Sequence, residues 1–257
     1  MDPWHTLRAF TQARIGQGSV GSAQRTESLI DFQLAHAEAR DAVWKEWNLD
    51  PFKRAAEQRF GSAIQLNSQA SSRVLYLQRP DLGRSLSFES AHALKASSSK
   101  GFDVALILSN GLSTTAAEIH ALRFLEVLIP SLEDCGLSRS PILLVPNGRV
   151  ALSDEIGMAL RTRVSLMLIG ERPGLSSADS LGAYITIAPA IGNTDAERNC
   201  LSNIREPDGL EYRTAAHKIC YLTLKGLSEG IRGVALKDDS PDEPLRLEES
   251  LRLLATE

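Results

Sequence analysis

The strongest constraint on this chain is a set of short, unbroken apolar runs separated by longer stretches of helical pattern. Val104 to Leu108, Ile142 to Val145, Val164 to Ile169 and Tyr184 to Ile187 show little apolar–polar alternation. A strand with one face in water alternates, whereas a strand buried on both faces does not, so these runs read as strands covered by helices on each side. Helical patterns fill residues 115–129, between the first two runs, and 153–162, between the second and third. A further one covers 208–228. Strands alternating with helices predict an α/β fold: a Rossmann-like, doubly wound, mostly parallel sheet.

The segment before residue 100 has a different texture and reads as a helical N-terminal region. Pro3 suits a first helical position, having no N–H to leave unpaired, and a first helix with Trp4, Leu7, Phe10 and Ile15 is expected to run to Gly16. Residues 16–25 read as a glycine- and serine-rich loop. Thr26 then caps a helix over 27–47, with Glu27 near its positive end. Its apolar residues make no clean stripe, and its alanine-rich face predicts close packing against another element or another chain. Asp50-Pro51 starts a third helix to Phe60. Val74 to Leu77 reads as a short strand, and Ser87 caps a helix through Leu94. After Asp238 the chain becomes acidic and is expected to end in a short helix over 245–254. The expected division is therefore 1–100, 101–237 and an acidic extension, 238–257.

Bulk properties narrow the function. A chain of 257 residues holds one or two domains. The formal net charge of −4 and the lack of a basic stripe argue against nucleic acid. The apolar runs are too short to span a bilayer, and residues 1–5 do not resemble the start of a secretory signal. Cys135, Cys200 and Cys220 are odd in number and far apart, as expected of reduced thiols in the cytoplasm. No CxxC or zinc-type Cys/His cluster is present, so no metal ligands are assigned.

Ligands of open parallel sheets bind beyond the carboxyl ends of the strands. The first three runs lead into Ser109–Ser113, Pro146–Val150 and Gly170–Gly174, three glycine-bearing loops at one expected edge. Other motifs fail on context. Residues 16–21 match GxGxxG, but a dinucleotide fingerprint must follow a strand and open a helix, and the preceding segment reads as helix. There is no Walker-type loop and no GxSxG. The five histidines form no HxxxH pair. His120 reads as a helix-surface or packing residue, not a metal ligand, and Asp154-Glu155 as compensation of a helix dipole. On physics alone this is an α/β ligand-binding protein of unassigned chemistry.

Several segments resemble the small subunit of ethanolamine ammonia-lyase: RIG at 14–16, QLAHAEARDAV at 33–43, RPDLGRSLS at 79–87 and NGLS at 110–113. The most specific are GERPGLSSADSLGAY at 170–184 and TDAERNCLSNIR at 194–205. The resemblance spans roughly the first nine-tenths of the chain, far beyond a short-motif accident. It implies an adenosylcobalamin-dependent lyase that converts ethanolamine to acetaldehyde and ammonia, with the substrate pocket in a TIM-barrel large subunit. This chain would carry no catalytic residue. Residues 1–100 would dock to other subunits and 101–237 would contact cobalamin. The family's cobalamin-contacting positions fall on Val150, Glu171 and Cys200. The sequence departs from the family where Asn110 replaces the usual aspartate, and in the extension after residue 238. A longer N-terminal segment directs some relatives into a bacterial microcompartment, so the expected location is cytoplasmic, with encapsulation open. The alternative is a stand-alone α/β small-molecule or cobalamin-binding or regulatory protein.

Overall fold

A computed structural model of the protein describes residues 3–96 and 101–241. In chain order its elements are α1 (Pro3–Arg8), a hairpin of β1 (Ser19–Val20) and β2 (Ala23–Gln24), α2 (Thr26–Trp44) and α3 (Leu49–Phe60). There follow β3 (Ala63–Gln65), α4 (Arg73–Gln78), α5 (Phe88–Ala96), β4 (Val104–Ser109) and α6 (Thr114–Asp134). The remainder is β5 (Ile142–Leu144), α7 (Leu152–Leu160), β6 (Val164–Gly170), β7 (Leu181–Ile187), β8 (Asn199–Ile204) and α8 (Tyr212–Glu229).

The fold is α/β, built on one mixed six-stranded sheet of order β3-β5-β4-β6-β7-β8. β3, β5, β4 and β6 pair in parallel, whereas β7 is antiparallel to both β6 and β8. The mixture follows from connection length. Parallel neighbours need a crossover of a dozen or more residues, usually a helix. α6 and α7 provide such crossovers, but residues 171–180 between β6 and β7 contain no helix, so the chain turns straight back.

The absence of alternation is explained by two cores. Val104, Leu106, Leu108, Ile142, Leu144 and Leu166 point to one face, against α3, α6 and α8. Ala105, Ile107, Leu143, Val145, Met167 and Ile169 point to the other, against α5 and α7. β4, β5 and β6 are buried on both sides; β8 is not, and its partly exposed residues hid it from the sequence reading.

Several boundaries differ from expectation. Residues 74–77 form the helix α4, not a strand, because Ser72 caps it by accepting a hydrogen bond from the Leu75 N–H at 3.3 Å. α1 stops at Arg8, well short of Gly16, and the expected loop at 16–25 contains the β1–β2 hairpin. α2 ends at Trp44, before the expected 47. α6 runs through Pro130 to Asp134, since the burial of Leu128 and Leu132 outweighs the lost backbone hydrogen bond. β3 supplies an edge strand from a region read as helical and loop. The helix expected over 245–254 lies outside the described residues.

Candidate ligand-binding site at the carboxyl edge of the sheet

The chain leaves β4 through α6 to reach β5 on one side, then returns through α7 to β6 on the other. Strand order therefore reverses between β4 and β6, the position at which open α/β sheets form a ligand crevice. The loops there are tightly joined. Asn110 is buried; its Nδ2 donates to Thr114 Oγ1 at 3.0 Å and its Oδ1 accepts from the Asn147 N–H at 2.8 Å. Ser109 Oγ accepts from the Gly148 N–H at 3.0 Å. Leu112 N–H donates to Gly170 O at 2.9 Å. A Cβ on Gly170 would lie 2.0 Å from Ser113 O and 2.5 Å from Asn110 O, so only glycine permits this approach.

α4 braces the same loops. Its buried Arg73 donates to Val43 O at 2.6 Å, Gly111 O at 2.6 Å and Leu112 O at 3.0 Å. Burial lowers the Arg73 pKa, an effect opposed by Tyr76 and reinforced by Arg149. The Tyr76 ring lies beside both guanidinium groups, at 5.0 Å from Arg73 and 4.1 Å from Arg149. This stack fixes Arg149 at the mouth of the crevice.

Two adjoining clefts open beyond these loops. One, of about 390 Å³, is lined by Leu112, Arg149, Val150, Glu171, Tyr184 and Ser202 among others. The other, of about 590 Å³, includes Arg84, Arg149, Val150, Tyr184, Asn193 and Arg198. Arg149, Val150 and Tyr184 belong to both. Val150 and Glu171 thus share one cleft. Cys200 is exposed on β8 and stands opposite Tyr184 in the β7–β8 register.

Glu171 is held rigidly. Its carboxylate accepts from Ser180 Oγ at 2.7 Å, Ser202 Oγ at 2.6 Å and the Asn203 N–H at 3.0 Å. A carboxylate offers about four lone-pair sites, so about one remains for a ligand donor. Desolvation raises the Tyr184 phenol well above its ordinary range, with Cys200 and Glu171 adding to the rise. Desolvation also raises the Cys200 thiol, while Tyr184 beside it opposes this. Both groups are therefore neutral near pH 7. Arg149 Nε and Asn193 Nδ2 are buried without a protein partner, leaving donors available at the groove.

The surrounding ion pairs fasten the groove's walls. Arg198 on the loop before β8 pairs with buried Asp154 of α7, and with Asp195 at 3.1 Å. Burial raises Asp154, and Arg198 pulls it back down. Asp154 is thus more than a dipole partner: it joins the loop to the helix. Neighbouring Glu155 accepts from the Leu86 N–H at 2.8 Å. Buried His120 connects Tyr212, at 2.6 Å, to Asp179, at 3.2 Å, and Asp179 pairs with Arg205 at 3.2 Å. This network anchors residues 171–180 to α6 and α8.

A groove lined by Val150 and the Tyr184 ring, by the Glu171 and Asp195 carboxylates and by unpaired buried donors fits a large ligand that carries both amides and hydrocarbon. Sequence reasoning missed Tyr184, Arg149 and Asn193. Arg149 precedes Val150 in a loop already suspected, and Tyr184 closes the 170–184 segment, but only strand pairing shows that Tyr184 meets Cys200.

The family model described as ethanolamine ammonia-lyase light chain (EutC) matches residues 1–237. An ethanolamine ammonia-lyase small subunit of Xanthomonas campestris pv. campestris is 47% identical over 247 residues, covering 95% of this chain and 90% of the relative. One of Pseudomonas fluorescens is 45% identical over 251 residues, covering 96% and 91%. One of Azotobacter vinelandii is 46% identical over 242 residues, covering 93% and 89%. With the family model matched over all but the last 20 or so residues and nearly half of all positions shared with each relative, the chain belongs to the ethanolamine ammonia-lyase light chain family.

Proposed function

We propose that this chain is the small subunit of an adenosylcobalamin-dependent ethanolamine ammonia-lyase, acting with a TIM-barrel large subunit on ethanolamine to give acetaldehyde and ammonia. The observation that carries the reading is the family match over residues 1–237. Bound adenosylcobalamin supplies the radical chemistry, which belongs to the cofactor. The part played by this chain is to bind and orient. Glu171, pre-aligned by Ser180, Ser202 and Asn203, accepts a hydrogen bond from a ligand amide or hydroxyl. Arg149 Nε and Asn193 Nδ2 donate to ligand oxygens. Val150 supplies apolar contact and Cys200 lies beside the Tyr184 phenol. The groove walls exclude water from the covered edge.

The same reading treats the sheet as a Rossmann-like, doubly wound variant with an antiparallel edge, residues 1–100 as the docking region, 101–237 as the cofactor-contacting domain and 238–257 as an extension without assigned role. It places the protein in the cytoplasm. Among the described residues, no helix is long and apolar enough to cross a membrane.

The test is acetaldehyde formation from ethanolamine and adenosylcobalamin by this chain, by the large subunit, and by both together. Activity confined to the mixture is expected. A complex without activity would overturn the substrate. Tight cobalamin binding by this chain alone, with no complex formed, would replace the reading with a stand-alone binding protein.

A further inference from the structure

A separate groove of about 370 Å³ lies between the C-terminal half of α6 and the N-terminal half of α8. Val127 and Pro130 of α6, Cys135 just beyond it and Cys220 of α8 give it apolar walls, and Arg213 and His217 stand along its α8 side. It shares no residue with the clefts at the carboxyl edge of the sheet. Apolar walls left in water cost free energy, so a segment able to cover them is stabilised there.

The chain itself returns to this groove. After α8 it folds back along that helix. Lys225 Nζ donates to Lys237 O at 3.4 Å and to Asp239 Oδ2 at 2.8 Å. Two turns nearer the start of α8, Lys218 Nζ pairs with Asp238 at 2.6 Å and donates to Ser240 Oγ at 3.1 Å. His217 Nε2 then donates to Pro241 O at 2.8 Å. Numbers rise in the returning segment as they fall on α8, so the segment runs antiparallel to the helix. Pro241, the last described residue, is seated on a residue of the groove wall, and the same path continues from His217 toward Arg213.

We propose that the C-terminal extension of this same chain, residues 242–257, covers the groove as an amphipathic helix and removes this face from the surfaces open to other chains. Three features of the sequence select this occupant. Leu247, Leu251 and Leu254 recur at helical spacing, with Glu248, Glu249 and Arg252 on the far side, the pattern of a helix that lays an apolar stripe into a groove. Only Asp242, Glu243 and Pro244 separate Pro241 from the helical pattern over 245–254, and the two acidic residues arrive where Arg213 lies next along the path. A segment tethered this closely is presented at an effective concentration of about a millimolar or more, which favours it over a second copy. The proposal stands on the groove and the path of residues 237–241, independently of the cobalamin reading.

Two experiments on the whole chain test it. In the first, Ser131→Cys in the groove is combined with Leu251→Cys, oxidised with copper–phenanthroline and mapped by mass spectrometry. An intrachain disulfide from position 251 to position 131, or to Cys135 or Cys220 of the same groove, is expected. Glu249→Cys, on the far side of the helical pattern, is expected to link much less. Equal linking from 249 and 251, or none from either, would overturn the docked helix.

In the second, hydroxyl-radical footprinting compares the full chain with one stopped after Pro241, which retains every residue matched by the family model. Labelling of Val127, Pro130 and His217 is expected to rise about fivefold or more in the shorter chain, a factor that burial of part of two or three leucines suffices to give. Exposed Phe88 on α5 serves as the unchanged reference. Leu247→Ser with Leu251→Ser keeps the full length and is expected to raise labelling in the same way. Equal labelling in all three chains would overturn the proposal. Protection that grows with chain concentration would assign the groove to a second copy, and protection that appears only with the large subunit would assign it to that partner; either result overturns the extension as occupant.

Discussion

Glu171 is the side chain at which local structure and the proposed ligand contact meet. Three donors converge on its carboxylate: Ser180 Oγ just before β7, and Ser202 Oγ and the Asn203 N–H of β8. Glu171→Ala is expected to raise the apparent KM for adenosylcobalamin about tenfold or more, the scale of a hydrogen bond to a charged acceptor. The maximal rate should fall by less. The same change strands two serine hydroxyls and an N–H, so a drop in thermal midpoint of several degrees is expected by calorimetry. Glu171→Gln keeps one acceptor oxygen and should fall between the two. A tenfold loss of maximal rate with an unchanged cofactor KM would exclude the binding role. Asn110, which departs from the family's usual aspartate, uses both ends of its amide: Nδ2 toward Thr114 and Oδ1 toward Asn147. Thr114 in turn donates to Lys45 O at 2.7 Å, so its own proton is committed and an amide donor complements it. The long-range partners were not legible in the sequence, because hydrogen bonds between residues 30 or more apart leave no local pattern, as with Asn110 and Asn147.

At the level of elements, the contact between the loops after β4 and β6 is the tightest in the site. Gly170→Ala would force a Cβ against two backbone carbonyls. The expected cost is about 1–3 kcal/mol, seen as a lower urea midpoint with an unchanged slope. An unaltered midpoint would show that the loops yield without strain. The entry to β4 is tied down by Asp103, which accepts from Ser138 Oγ at 2.6 Å and Ser138 N–H at 2.9 Å, and lies 3.4 Å from Arg163. Burial pushes its carboxyl up, but these partners hold it below the usual carboxylate range. A depressed folded-state pKa stabilises the protein above the unfolded value and ceases to do so as pH falls through the folded one. The stability gap between the wild type and Asp103→Asn should therefore be full above about pH 5 and close in stronger acid. A gap independent of pH in urea titrations would contradict the assignment. Which elements were legible follows from the same physics. β4, β5 and β6 were readable because burial on both faces demands unbroken apolar residues. Val74 to Leu77 was misread because a short apolar run does not distinguish strand from helix, and the cap at Ser72 decided it.

On the scale of the whole molecule, α2 is an unfinished element. It buries only Ala35, Ala39 and Ala42, while Leu29, Ile30, Phe32 and Leu34 remain exposed. Phe10 and Val20, in the segment before it, are exposed too. A helix that presents its small residues to its own fold and its larger apolar ones outward is expected to meet a second surface. Backbone amides of residues 26–44 should exchange more slowly by hydrogen–deuterium exchange when the large subunit is added, with those of β4 and β6 unchanged. Equal exchange of 26–44 in both states would remove α2 from the interface.

Taken alone, the amino-acid order determined the class of fold, since apolar runs and helical patterns report burial directly. It also determined which strand ends would meet at one edge, because parallel strands joined by helices all release their loops on the same side. The tertiary structure decided what those ends do together. The reversal of β7 was set by a connection too short for a crossover, and that reversal carries Tyr184 to Cys200 and brings Ser202 and Asn203 onto Glu171. Pairing between distant strands depends on chain geometry and not on local composition, which is why Val150 and Glu171 were visible as loop residues while the floor between them was not.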